Sequence, residues 1–332
     1  MAGMGAFAGI RHGGDLGEAR RLFPDAPQPW FDLSTGINPV PYPCPPLDAS
    51  LLTRLPAPAD LAALDAAAAA AYGADPAEIV AAPGTQALIA WLPHLRPAGR
   101  VAVVGPTYAE HAAAWRRAGH AVATVPDLPA AADHDVAVVV NPNNPDGRVT
   151  GRPALAAAAA HLGARGGLLV VDEAFADLEP VESLCGGVPE GAVVLRSFGK
   201  TYGLAGLRLG FAVAPAPFAA RLRAALGPWA VSGPALAAGI AALSDRRWRE
   251  EAAAARRADA ARLDRLLARA GGRLVGGTAL FRTADFPDAP ALFDRLGRAG
   301  LFVRRFEEQP CRLRFGLPAA PDAWERLEGA LA

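Results

Sequence analysis

Few residues in this chain stand where chemistry could be done, and most of them follow short apolar runs. After AVVL comes RSFGKTYGLAGLRLGF, with Lys200 and Arg208; after LLVV comes DEAF, with Asp172; after VAVVV comes NPNNPDG, with Asn144. Upstream, APGTQALI sets Gly84, Thr85 and Gln86 at the start of a helical pattern. A lysine amine is a nucleophile toward carbonyl groups. A Gly-Thr at a helix start offers backbone N–H groups to an anion, although such a pair is more often an ordinary cap. Taken singly, each segment is a weak signal, because carboxylates and lysines after strands are usually solvated.

The elements that position these residues are legible from periodicity. Apolar runs begin at Val101, Ala121, Val136, Leu168, Ala192 and Leu209, with helical segments between them. That alternation predicts a mostly parallel central sheet with helices on both faces. In such sheets ligands collect beyond the carboxyl ends of the strands, where the segments above lie. Residues 1–50 are rich in Gly and Pro and read as an N-terminal arm over the active site. Residues 51–235 read as a large α/β domain and 236–332 as a smaller C-terminal α+β domain. Helical patterns run from Asp60 to Tyr72 and from Asp245 to Ala270.

Composition narrows the class. The 332 residues carry 33 basic and 33 acidic side chains, so no net field favours nucleic acid or an anionic membrane. Cys44, Cys185 and Cys311 show no zinc spacing and no disulfide framework. No apolar run approaches a membrane span, and the N-terminal stretch lacks the order of a secretory signal. These features predict a soluble, cytoplasmic protein with no metal. A nicotinamide-dependent dehydrogenase is disfavoured, since no G-x-G-x-x-G follows the first apolar run. A regulatory protein with a fused DNA-binding module finds no room before the arm.

Taken together, the segments resemble the fold-type I pyridoxal 5′-phosphate (PLP) enzymes of the aspartate aminotransferase superfamily. The resemblance implies PLP carried as a Schiff base on Lys200, Asp172 at the pyridine nitrogen, Asn144 at the phenolic oxygen and Tyr108, in PTYAE, against the ring. It implies a phosphate cup of Gly84, Thr85, Gln86, Ser197 and Arg208, and a homodimer. Arg312, in RLRFG, matches the arginine that grips a substrate carboxylate. The chain departs from many relatives at Phe175, where they carry a tyrosine, and at Leu55-Pro56, where some carry a Tyr-Pro that reaches a partner's cofactor. The leader HGGDLGEARRLFPDAPQPWFDLSTGINPVPYP is similar to that of the threonine-phosphate decarboxylases of cobalamin biosynthesis. That similarity implies a small phosphorylated amino acid as substrate, touched by His12, Gly13, Gly36, Ile37 and Asn38. Arg304 would take its phosphate and Arg312 its carboxylate, with Arg305 and Arg314 as rivals that spacing does not separate. The alternative is an aminotransferase such as one acting on histidinol phosphate.

Overall fold

The structure is a computed structural model that describes residues 12–44 and 46–332. The chain divides into two compact units, residues 40–255 and residues 12–39 with 256–332 among those described. The division lies away from positions 50 and 235, where composition suggested it. The first eleven residues of the expected arm lie outside the described residues.

The large unit holds a seven-stranded sheet in the order Ile79–Ala82, Gly210–Val213, Ala192–Ser197, Leu168–Asp172, Val136–Val140, Arg100–Val104, Ala121–Val125. Only Gly210–Val213 runs antiparallel to its neighbours. Successive side chains point to opposite faces, and both faces are apolar. Val101, Val103, Val136, Val138 and Val170 enter one core with Leu88, Trp115 and Leu222. Ala102, Val104, Val139, Val171 and Phe211 enter another with Leu64, Leu155 and Leu236. Burial on both faces explains why these strands read as continuous apolar runs without polar alternation, the exposed edge strand Ala121–Val125 excepted. Helices Pro58–Tyr72, Arg152–Gly163 and Gly233–Ser244 supply one covering layer; Thr85–Trp91, Ala109–Arg117 and Ala216–Leu226 supply the other.

The small unit is built on a five-stranded sheet ordered Phe31–Leu33, Leu301–Arg305, Arg312–Gly316, Phe281–Asp285, Arg273–Thr278. Its core gathers Leu263, Leu267, Phe293, Leu296, Phe315 and Trp324. Part of the expected arm is structured within this unit: Leu16–Leu22 is a helix, and Phe31–Leu33 pairs in parallel with Leu301–Val303. Among the described residues no helix is long and apolar enough to cross a membrane.

Candidate active site

The parallel strands of the large sheet end along one edge, and all but Ala121–Val125 hand the chain to one of the segments singled out above. Val140 pairs with Asp172, and Asp172 with Leu195, so the ends lie in register. The Gly210–Val213 strand runs the other way and brings Arg208 to the same edge as the chain enters it.

Asp172 closes its strand and is buried. Its Oδ2 lies 2.8 Å from His111 Nε2, and its Oδ1 accepts from Ala174 N–H at 3.0 Å. His111, only 1% exposed, is a residue the sequence reading missed. It lies three positions after Tyr108, a spacing that brings residues to one helix face. The Tyr108 hydroxyl donates to Gln86 Oε1 at 3.2 Å, and its ring meets the His111 ring edge-on at 6.1 Å. Gln86 Nε2 in turn donates to Glu110 Oε2 at 3.1 Å. Gln86, Tyr108, His111 and Asp172 are thus one connected group.

Lys200 sits on a single helical turn, Phe198–Thr201, half-buried, with Nζ 4.8 Å from the centre of the Phe175 ring. A π face attracts the ammonium. Asn144 is also half-buried, and its loop is braced by its neighbour. Asn143 Nδ2 donates to Pro106 O at 3.0 Å and to Asp146 Oδ1 at 2.8 Å, while its Oδ1 accepts from Thr107 Oγ1 at 2.6 Å. Asn143 therefore ties the Tyr108 loop to the Asn144 loop.

The corner expected to hold phosphate is a tight one. Gly84 has φ +83°, and a Cβ there would lie 2.7 Å from Arg208 Nη2. Any side chain at this position would be strained and would occupy the space in front of the guanidinium. Arg208 is itself left-handed, φ 54°, with Nη1 donating to Ala205 O at 3.0 Å. Gly210 pairs with both Ser197 and Ala82, and a Cβ on it would come within 2.5 Å of Thr85 N. Gly84, Thr85, Ser197 and Arg208 therefore share one corner.

The remaining candidates belong to the small unit. Arg312 is committed to a carboxylate of its own sheet: Nε donates to Asp285 Oδ1 at 2.7 Å and Nη2 to Oδ2 at 3.1 Å. That bidentate bond, reinforced by Arg273, holds Asp285 below the usual carboxylate range. A substrate carboxylate at Arg312 would have to compete with Asp285 for the same fork. Its rival Arg314 is buried, donates from Nη2 to Ser34 O at 2.8 Å, and pairs across the sheet with Arg304. Burial first, then the Arg304 charge, pushes the Arg314 guanidinium down to about 10. Arg305 reaches Glu18 at 3.5 Å. His12, Gly13, Ser34 and Arg304 line one small cavity. Ser34 Oγ accepts from Gly14 N–H at 2.7 Å, and Asn38 Oδ1 accepts from Arg256 Nη1 at 3.2 Å. Gly36 is buried and Ile37 half-buried, and neither is among the residues of that cavity.

Comparison with known proteins agrees with this architecture. The chain is 46% identical over 327 residues to a protein named threonine-phosphate decarboxylase from Pseudomonas aeruginosa, covering 97% of each. It is 45% identical over 332 residues to one of the same name from a Sinorhizobium species, covering 98% of each. Histidinol-phosphate aminotransferase from Sinorhizobium meliloti, solved in complex with pyridoxal-5′-phosphate, superimposes with a TM-score of 0.81 at 23% identity, covering 99% of this chain and 97% of that one; it has the same fold. Residues 47–328 match the model of aminotransferase class I and II, and with relatives this similar along nearly its whole length, the chain belongs to that family.

Proposed function

We propose that the chain is a PLP-dependent decarboxylase converting L-threonine O-3-phosphate to (R)-1-amino-2-propanol O-2-phosphate, the aminopropanol arm of cobalamin. The observation that carries the reading is the near full-length identity to two threonine-phosphate decarboxylases. The local chemistry fits PLP: an amine at Lys200, a buried carboxylate at Asp172, and a corner that Gly84 keeps open in front of Arg208. Lys200 would hold the aldehyde carbon, Asp172 the pyridine nitrogen, Asn144 the phenolic oxygen and Tyr108 the ring face. Gly84, Thr85, Gln86, Ser197 and Arg208 would hold the phosphate.

When bound, PLP supplies the sink for the electrons of the breaking Cα–carboxylate bond. Asp172 would hold a proton at the ring nitrogen, and His111, 2.8 Å from its Oδ2, would fix the carboxylate that does so. Small-unit residues choose which Cα bond breaks by orienting the substrate. Arg314 replaces Arg312 as the carboxylate clamp, Arg304 takes the substrate phosphate, and His12, Gly13, Gly36, Ile37 and Asn38 line the pocket. Lys200, whose amine would hold the cofactor, would also be the group placed to return a proton to the substrate Cα. The same residues could serve an aminotransferase if the Cα–H bond were the one aligned.

The enzyme is proposed to work in the cytoplasm as a homodimer. Leu52 and Leu55, 73% and 69% exposed, mark a candidate face for the second copy. Leu55 has no polar group to offer a partner's cofactor phosphate, so that contact is not part of the proposal. The test is incubation of the PLP-loaded enzyme with threonine phosphate. Release of carbon dioxide and aminopropanol phosphate is expected; a 2-oxo acid would assign an aminotransferase instead.

A further inference from the structure

Behind the strand ends lies a buried ionic assembly that the proposed chemistry does not use. Arg196, next to last in its strand, is 6% exposed. Its Nη1 donates to Glu173 Oε2 at 2.6 Å, its Nη2 donates to Asp177 Oδ1, and its guanidinium lies 4.7 Å from the centre of the Tyr72 ring. Glu173 also accepts from Ser183 Oγ and from Leu184 N–H. Asp177 Oδ2 accepts from Thr201 Oγ1 at 2.7 Å. The other titratable groups around it are Cys185, whose Sγ is 4.0 Å from Glu173 Oε2, and Tyr202, which is hydrogen-bonded to Arg249.

Stability is a poor reason for such an assembly, because apolar residues of the same shape hold a core as well as desolvated charges do. Its position in the chain suggests another. Glu173 follows Asp172, and Thr201 follows Lys200. The turn Phe198–Thr201 has no side-chain cap at Ser197 and is too short to be stable alone. On one side it is held by stacking, Phe198 on Tyr202 at 4.5 Å and Tyr202 on Trp248 at 5.5 Å. On the other, the Thr201 hydroxyl tethers it to Asp177.

We infer that Arg196 is a positioning residue: through Glu173 on one side and Asp177–Thr201 on the other, it fixes where the Lys200 amine stands relative to the Asp172 carboxylate. The inference rests on the PLP reading of the site. Arg196 touches no reacting atom, and it acts by joining its own strand to Glu173 and Asp177, the second of which holds the Thr201 hydroxyl.

The holoenzyme carries the test. Thr201→Val keeps the shape of the side chain and removes only the hydroxyl; Thr201→Ser keeps the hydroxyl; Arg196→Lys replaces a fork with a single point of charge. Three readouts are taken on each: the pH titration of bound-PLP absorbance, kcat and KM measured separately on threonine phosphate, and Tm. Thr201→Val is expected to move the titration midpoint by roughly half a pH unit or more, since the Lys200 linkage sits in a changed field. It should lower kcat about 10-fold with KM within about twofold, the signature of misplaced reacting groups. Thr201→Ser should restore both, and Arg196→Lys should exceed Thr201→Val on both. A lower Tm with unchanged midpoint and kcat in Thr201→Val means a merely structural role and overturns the inference, whether or not Arg196→Lys folds. Absence of a PLP chromophore in the unsubstituted protein overturns the PLP reading and this inference together; a normal chromophore that ignores Thr201→Val overturns the inference alone.

Discussion

Exchanging arginine for lysine at positions 312 and 314 separates two roles that look alike in RLRFG. Arg314 is buried beside Arg304, so a substrate carboxylate gripped there would be largely desolvated. Losing the planar fork from such a contact costs roughly 2–5 kcal/mol when the partner charge stays buried. At about 1.36 kcal/mol per decade, that is about 30-fold to several thousand-fold in kcat/KM. A decarboxylase must let its carboxylate lose charge, and too tight a grip stabilises the ground state. Arg314→Lys should therefore fall in the lower half of that range, about 30- to 300-fold. Arg312→Lys should change kcat/KM less than about threefold and act on stability instead. Its pair with Asp285 is 16% and 11% exposed, and Asp285 keeps Arg273 at 2.5 Å, so no charge is orphaned. A cost of about 1 kcal/mol follows, or roughly 2–4 °C in Tm. Because Arg312 depresses the Asp285 carboxyl, the stabilisation is present above the unfolded value near 3.8 and is lost as pH falls through the folded one. The Arg312→Lys deficit should therefore shrink in acid. Steady-state kinetics on threonine phosphate and thermal melts from pH 3 to 7 decide it. Loss of turnover in Arg312→Lys with Arg314→Lys near parental would refute the assignment.

Two further outcomes are expected. Burial pushes the Asp65 carboxyl up to about 6 against the weaker pull of Arg223, and its Oδ1 has no hydrogen-bond partner. The folded protein then binds that proton more tightly than the unfolded chain, so ionised Asp65 costs stability above pH 6. Asp65→Asn should stabilise by about 1–2 kcal/mol at pH 7, after allowing for partial solvent screening. That gain should fade toward pH 4 in denaturant titrations, and a gain independent of pH would exclude titration of Asp65 as its source. His111→Phe keeps an aromatic ring but removes the bond to Asp172. A loss of about 1.5–3 kcal/mol, or roughly 10- to 150-fold in kcat, is expected. Parental turnover would mean that Asp172 needs no support from His111.

Much of the large sheet was legible because strands buried on both faces leave unbroken apolar runs. All six runs named from the sequence contain strands, although Ala121–Val125 is an edge strand with no buried residue. The Ile79–Ala82 strand escaped because IVAA is short and continues into an Ala-Pro-Gly turn. Phe31–Leu33 escaped for a different reason: an edge strand with Asp32 at its centre owes its conformation to Leu301–Val303, far away in sequence. Helical periodicity runs unbroken from Arg246 to Arg269, so the unit boundary at Arg256 leaves no mark in composition. Among the proposed site residues, Lys200, Asp172 and Arg208 stand at strand ends, where local order in the sequence puts them. Arg312 and Arg314 are two apart and share one strand face, so only their cross-strand partners, Asp285 and Arg304, distinguish them. His111 is named by its partner, and that partner lies across the sheet edge.

The backward run of the Gly210–Val213 strand has a consequence for how the site comes together. Because that strand pairs with Ala192–Ser197 as an antiparallel neighbour, Ser197, Lys200 and Arg208 all lie on one hairpin and its connecting loop. Closing a loop that short costs little chain entropy. Asp172 and Asn144, by contrast, reach the edge through parallel crossovers that must first bring distant segments together. Lys200 is therefore joined to Ser197 and Arg208 by contacts of low sequence separation, the kind that favour fast closure, whereas Gly84 and Thr85 come to that corner from a distant strand. Asp172 takes its place at that edge only through the pairing of parallel strands.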